Sequence, residues 1–161
     1  MRMRAAVLAA ALIVMVATTG AARISAVKEF GRLLTHARAQ FIKNPNLHAI
    51  MIQETNVRGR EKIEEYKKSA ARLKILMVGG HIPEDAPNGA RGGTAILIPY
   101  SVAHRNKKEQ LRAALHRIRS TAVETDRVTT ARLQMEGGTI RVAPALGYSV
   151  GALGFGKNRV G

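Results

Sequence analysis

His48-Ala49-Ile50-Met51-Ile52-Gln53-Glu54-Thr55-Asn56 is a short apolar run that stops abruptly at four polar residues. The length of the apolar part suits a buried strand over 49–52 better than a helix. A carboxylate at the end of a buried strand is costly unless a metal ion or a cation partners it. Strand ends are also where α/β proteins bind their ligands. Glu54 is therefore the first candidate for chemistry, either as a metal ligand or as a strand-end residue paired with an arginine. Gln53 and Thr55 read as its local hydrogen-bonding neighbours. Asn56 and Arg58 follow in a loop, where they either touch phosphate or stay solvated.

The chain on either side of this run is patterned. Upstream, Val27, Phe30, Leu33, Leu34, Ala37 and Phe41 recur at three- and four-residue spacing, which predicts a helix over 26–41 with Ser25 as its N-cap. Gly31 inside it costs about 1 kcal/mol relative to alanine. Asn44-Pro45-Asn46 is a turn. Downstream, a second helix is expected over 60–73, with Ile63, Tyr66, Ala70 and Leu73 inward and Glu64/Lys68 at i,i+4 spacing. A strand over 75–78 ends at Gly79-Gly80, and residues 81–91 read as a loop with two prolines and Asn88-Gly89. Gly92-Gly93 then opens a strongly apolar strand over 94–99. A strand and not a helix follows these glycines, so they read as a close backbone approach rather than a phosphate cradle.

Further on, a basic helix is expected over 107–119, with Leu111, Ala114, Leu115 and Ile118 inward. A hairpin over 128–142 turns at Glu136-Gly137-Gly138-Thr139. From Pro144 the periodicity fails, and residues 144–161 read as an irregular glycine-rich tail. The order of strands and helices predicts an α/β domain over 12–143, a sheet layered with helices.

Residues 1–22 support two readings. A basic Met1-Arg2-Met3-Arg4 start, an apolar stretch from Ala5 to Val16 and small residues up to Ala22 have the layout of a cleaved secretory signal. The same residues also read as a short lead, 1–11, followed by a buried strand over 12–17. The apolar stretch falls short of the roughly 20 residues that a membrane span needs, so no membrane partner is expected.

Composition narrows the chemistry. The 161 residues contain no cysteine, which excludes disulfides, thiolate metal sites and cysteine nucleophiles. The formal net charge is +15, and the excess is spread along the chain rather than held in one tail. Such a charge favours polyanions, nucleic acid first among them, although it equally describes a generic basic surface. Lys107, Lys108, Arg112, Arg117 and Arg119 form either a ridge that tracks phosphates or an ordinary basic helix face. His36, His48, His81, His104 and His116 show no metal-ligand spacing.

Ile52-Gln53-Glu54-Thr55, followed about forty residues later by Arg91-Gly92-Gly93-Thr94-Ala95-Ile96-Leu97-Ile98, resembles the endonuclease/exonuclease/phosphatase superfamily. Within it, the likeness is to the apurinic-endonuclease-like domain of non-LTR retrotransposons, and it covers roughly residues 12–143. The resemblance implies a layered α/β sandwich, here incomplete, and a phosphodiesterase acting on DNA. It also implies that Glu54 binds the catalytic Mg²⁺, with Arg58, Arg91, Lys107, Lys108 and Arg112 as candidate contacts to nucleic acid.

The chain departs from the family pattern in three places. Gly20 stands where the first strand of the family ends in a metal-holding Asn. Pro144-Ala145-Leu146-Gly147-Tyr148 replaces the Asn-x-Tyr-x-Pro segment. Neither Gly-Asp-x-Asn nor Ser-Asp-His occurs, so the general base and the histidine beside the scissile phosphate are missing. The expectation is a truncated or frame-shifted copy without nuclease activity.

Overall fold

A computed structural model describes residues 12–17, 26–53, 55, 57–86, 92–125, 127–135 and 138–142. It is a mixed α/β structure built on a four-stranded sheet. Its strands are β1 (Leu12–Ala17), β2 (Leu47–Gln53), β4 (Ile75–Gly79) and β6 (Thr94–Pro99), in the order β1-β2-β6-β4. β1 runs parallel to β2, while β6 lies antiparallel to both β2 and β4. Residues 12–17 form a strand, as one of the two readings of the first residues has it. Residues 1–11 and 18–25, with the Ser25 cap and Gly20, lie outside the described residues, as does 143–161.

Helix α1 (Ala26–Lys43) connects β1 to β2, and α2 (Arg60–Arg72) precedes β4. The Asn44 side chain donates to the Gln40 carbonyl at 3.2 Å, closing α1 just before Pro45. The short strands β3 (Val57–Arg58) and β5 (His81–Ile82) pair in parallel beside the sheet. After β6 come a single helical turn, α3 (Tyr100–Ala103), then α4 (Leu111–Thr121). A second sheet follows, with β7 (Val123–Glu124), β8 (Thr129–Met135) and β9 (Gly138–Val142) in sequential antiparallel order.

Strands buried on both faces read as continuous apolar runs, and β2, β4 and β6 are buried on both. On one face Ile50, Ile52, Ile75, Met77 and Leu97 pack under Phe30, Leu34 and Ala37 of α1 and Ile63 and Tyr66 of α2. On the other, Ala49, Leu76, Val78, Ile96 and Ile98 meet Leu115 and Ile118 of α4 and Ala131 and Leu133 of β8. The layers are therefore two helices, the four-stranded sheet, and a mixed layer of α4 with the second sheet. The register slips at the start of β2: Leu12 pairs with Leu47 but Ile13 with Ala49, leaving His48 as an extra residue. This bulge lets Leu47 and Ile50, three apart, share the helix-side core.

One polar group is stranded in that core. Tyr66 is 4% exposed and stacks on Phe30 with ring centroids 4.4 Å apart, but among the described residues nothing pairs with its hydroxyl. Burial, and secondarily the Glu65 carboxylate, raises its pKa above the ordinary value. An unsatisfied buried hydroxyl costs about 1–3 kcal/mol, and phenylalanine keeps the stacked ring without it. Tyr66→Phe is expected to raise the urea midpoint of unfolding; a clear loss of stability would mean that the hydroxyl is satisfied.

Two sequence expectations are corrected. The basic helix begins at Leu111, four residues later than 107. The Asn106 side chain accepts the Lys108 N–H at 3.1 Å and its carbonyl accepts the Glu109 N–H at 3.1 Å, so 106–109 forms a separate turn. Gln110 is extended (φ −68°, ψ 144°) and acts as the N-cap. On α2, Glu64 pairs with Lys67 at 3.5 Å rather than with Lys68, and Lys67 also reaches Glu124 at 3.4 Å.

Candidate functional site

The strand directions bring the end of β2, the end of β4 and the start of β6 to one end of the sheet. Gln53 pairs with Thr94, and Gly79 with Ala95. Thr55 ties these ends together. Its backbone N–H donates to the Gly93 carbonyl at 3.0 Å, and its buried hydroxyl donates to the Gly80 carbonyl. Glu54 and Asn56 lie outside the described residues, but Gln53 and Thr55 on either side of Glu54 are held in this way.

Two glycines make the approach possible. Gly93 has φ +81°, and a Cβ there would collide with the Thr55 hydroxyl and come within 2.9 Å of the Gly80 carbonyl. Gly79 has φ +77°, and a Cβ there would run into the Thr129 side chain and the Thr94 carbonyl. Gly93 is thus a close backbone approach, as the context of Gly92-Gly93 suggested, and Gly79, read only as a strand end, makes a second one.

Thr94 and Thr129 form a buried hydroxyl pair beneath Gly79. Thr129 donates to the Thr94 carbonyl at 2.7 Å, so the Thr94 hydroxyl donates across the 2.8 Å contact to the Thr129 oxygen. Both residues are fully buried. Thr129 brings the second sheet to this end of the first. Sequence reasoning missed it, because its partner is 35 residues away and no local pattern signals the contact.

The candidate phosphate contacts do not gather here. Arg58 is next to the site in β3, but its Nη1 donates to the carbonyls of Glu84 (3.2 Å) and Ala86 (2.6 Å), fastening the 83–86 turn. Arg91 lies outside the described residues. Lys107, Lys108 and Arg112 are exposed at the opposite end of the sheet, beyond the last residue of β6. Arg105 in the same segment meets His48 at the start of β2, Nη2 to Nε2 at 2.6 Å. At about 3.3 Å per residue, His48 and Gln53 are roughly 16 Å apart along the strand. The ridge also loses Arg117, whose guanidinium makes a two-point pair with Glu109 at 3.2 Å.

His48 is 2% exposed. An arginine can only donate, so Nε2 accepts and the ring is neutral. Burial first, and the neighbouring Arg105 charge second, lower its pKa below the ordinary 6.5. The unfolded chain therefore takes up the proton at a higher pH than the folded chain, so the contribution of this group is full above pH 6.5 and is lost as the pH falls towards the lowered folded value. The slope approaches about 1.4 kcal/mol per pH unit at most. Urea unfolding between pH 5 and 7.5 is expected to show this loss, and His48→Gln to flatten it. An equal slope in the variant would assign the loss to other groups.

Among the described residues, no three histidine, aspartate or glutamate side chains gather into a group able to hold a metal. Among the same residues, no helix is long and apolar enough to cross a membrane.

Comparison with protein-family models, curated proteins and solved structures finds no match.

Proposed function

We propose that this chain carries the front part of an endonuclease/exonuclease/phosphatase-type domain, of the apurinic-endonuclease-like group of non-LTR retrotransposons. In this reading its strand-end carboxylate, Glu54, binds Mg²⁺ beside nucleic acid. The observation that carries the reading is the end of β2, where Gln53-Glu54-Thr55 meets Gly80 and Gly93 through Thr55. The layering of helices, four-stranded sheet and mixed α–β layer supports it, since the resemblance implies a layered α/β sandwich. The net charge of +15 supports a polyanionic partner.

Mg²⁺ in such a site polarises a phosphoryl oxygen and stabilises the leaving oxygen. The described residues supply no cluster to complete its coordination, and a single carboxylate leaves the ion most of its waters and binds it weakly. Hydrolysis further needs a base aimed at the attacking water, and the chain has neither the Gly-Asp-x-Asn nor the Ser-Asp-His motif that would supply one. The proposed activity is thus binding without cleavage. Incubation with supercoiled plasmid and Mg²⁺ is expected to give no nicking above that of Glu54→Gln. Nicking that Glu54→Gln abolishes would keep the family reading and overturn the inactivity.

A further inference from the structure

The outward face of the second sheet carries an unusual pairing. In the β8–β9 ladder Arg132 stands directly opposite Arg141, and the next outward rung pairs Gln134 with Thr139. All four residues are exposed, while Ala131 and Leu133 between them point into the core. Neither arginine has a hydrogen-bond or ion-pair partner among the described residues. Directly opposed side chains in an antiparallel pair sit about 5 Å apart at Cβ, and like charges there repel. The hairpin therefore holds two guanidinium forks side by side, neither paired with a carboxylate among the described residues, flanked by an amide and a hydroxyl that can also donate. An anion placed between them removes the repulsion and gains charge-assisted hydrogen bonds.

We propose that this face binds the sugar–phosphate backbone of nucleic acid, with Arg132 and Arg141 bracketing phosphate. The chemistry of the face favours this occupant over an anionic membrane. A surface-bound element needs an apolar side to bury in the lipid, and the two rungs offer none. Phosphate contacts need only donors and positive charge. Unlike Lys107 and Lys108, the two arginines are fixed opposite each other by strand register. This surface needs no metal, so it is tested separately from the Glu54 reading.

The test is fluorescence anisotropy of the full chain with a labelled 20-nucleotide DNA, single-stranded and duplex, from about 50 to 200 mM salt, the range over which phosphate contacts are strongly screened. Arg132→Gln/Arg141→Gln is compared with Lys62→Gln/Lys68→Gln, which removes the same charge from the exposed side of α2. The arginine variant is expected to lower the slope of log K against log salt by about 2, roughly 1 for each lost phosphate contact. The lysine variant should stay close to the parent. An unchanged slope in the arginine variant, or an equal drop in both, overturns the proposal. So does a loss confined to phosphatidylserine vesicles with DNA binding intact. Arg141→Thr alone should raise the low-salt melting midpoint by relieving the repulsion, and a lowered midpoint would contradict the paired-charge premise.

Discussion

Gly79→Ala is expected to destabilise the protein by about 2–6 kcal/mol, enough to remove much of the stability of a domain this size. Two terms add. A non-glycine residue held at φ +77° costs about 1–3 kcal/mol in backbone strain. The new methyl group also meets the Thr129 side chain and, at 2.5 Å, the Thr94 carbonyl. That carbonyl belongs to the central strand and cannot yield without opening the β4–β6 ladder, so overpacking adds about 1–3 kcal/mol. Gly31→Ala on α1 is the contrasting case. A Cβ there meets nothing within 4 Å, and the substitution should gain about 0.5–1 kcal/mol from helix propensity. Urea unfolding of the two variants checks both signs. A Gly79→Ala protein as stable as the parent would mean that β4, β6 and β8 do not converge as described.

The second large effect tests the layering. Ile96 and Leu97 are adjacent on β6, fully buried and on opposite faces of the sheet. Truncating a buried branched side chain to alanine costs about 2–5 kcal/mol. Ile96→Ala and Leu97→Ala are both expected to fall in that range, because α1 and α2 cover one face and α4 with β8 the other. If the β8 layer did not cover the sheet, Ile96→Ala would cost under about 1 kcal/mol while Leu97→Ala stayed costly. Denaturant midpoints of the two variants separate these cases.

Much of this arrangement is legible in the sequence. The apolar runs at 49–52, 75–78 and 94–99 are bounded by Gly, Pro or polar residues, and each became a strand within two residues at either end. The periodic segments at 26–41 and 60–73 became α1 and α2 for the same reason: a 3.6-residue stripe has one way to bury itself. The 128–142 hairpin formed with its turn glycine Gly138 at φ +136°.

What escaped the sequence is of two kinds. β3, β5, β7 and α3 have two to four residues, too few to carry a period. The remainder is long-range. Nothing local says that β6 inserts between β2 and β4, and that antiparallel insertion sends Lys107 and Lys108 to the end of the sheet away from Gln53. The start of α4 was misread because Lys107–Gln110 suits a helix in propensity, while the Asn106 side chain captures the Lys108 N–H. At the candidate site, the close approach at Gly92-Gly93 was readable, whereas the long-range bonds from Thr55 to Gly80 and Gly93 and the buried Thr94–Thr129 pair were not.

The central claim is that the end of β2 is a metal-binding strand end built on Glu54. Paramagnetic broadening by substoichiometric Mn²⁺, read amide by amide in the ¹H–¹⁵N spectrum of the full chain, tests it most directly, because it detects weak binding and needs no catalysis. The expected result is selective loss of the Gln53, Thr55, Gly80, Gly93 and Thr94 signals, with Lys107 and Lys108 unaffected, and full recovery in Glu54→Gln. Broadening that is absent, centred elsewhere, or unchanged in Glu54→Gln would contradict the account.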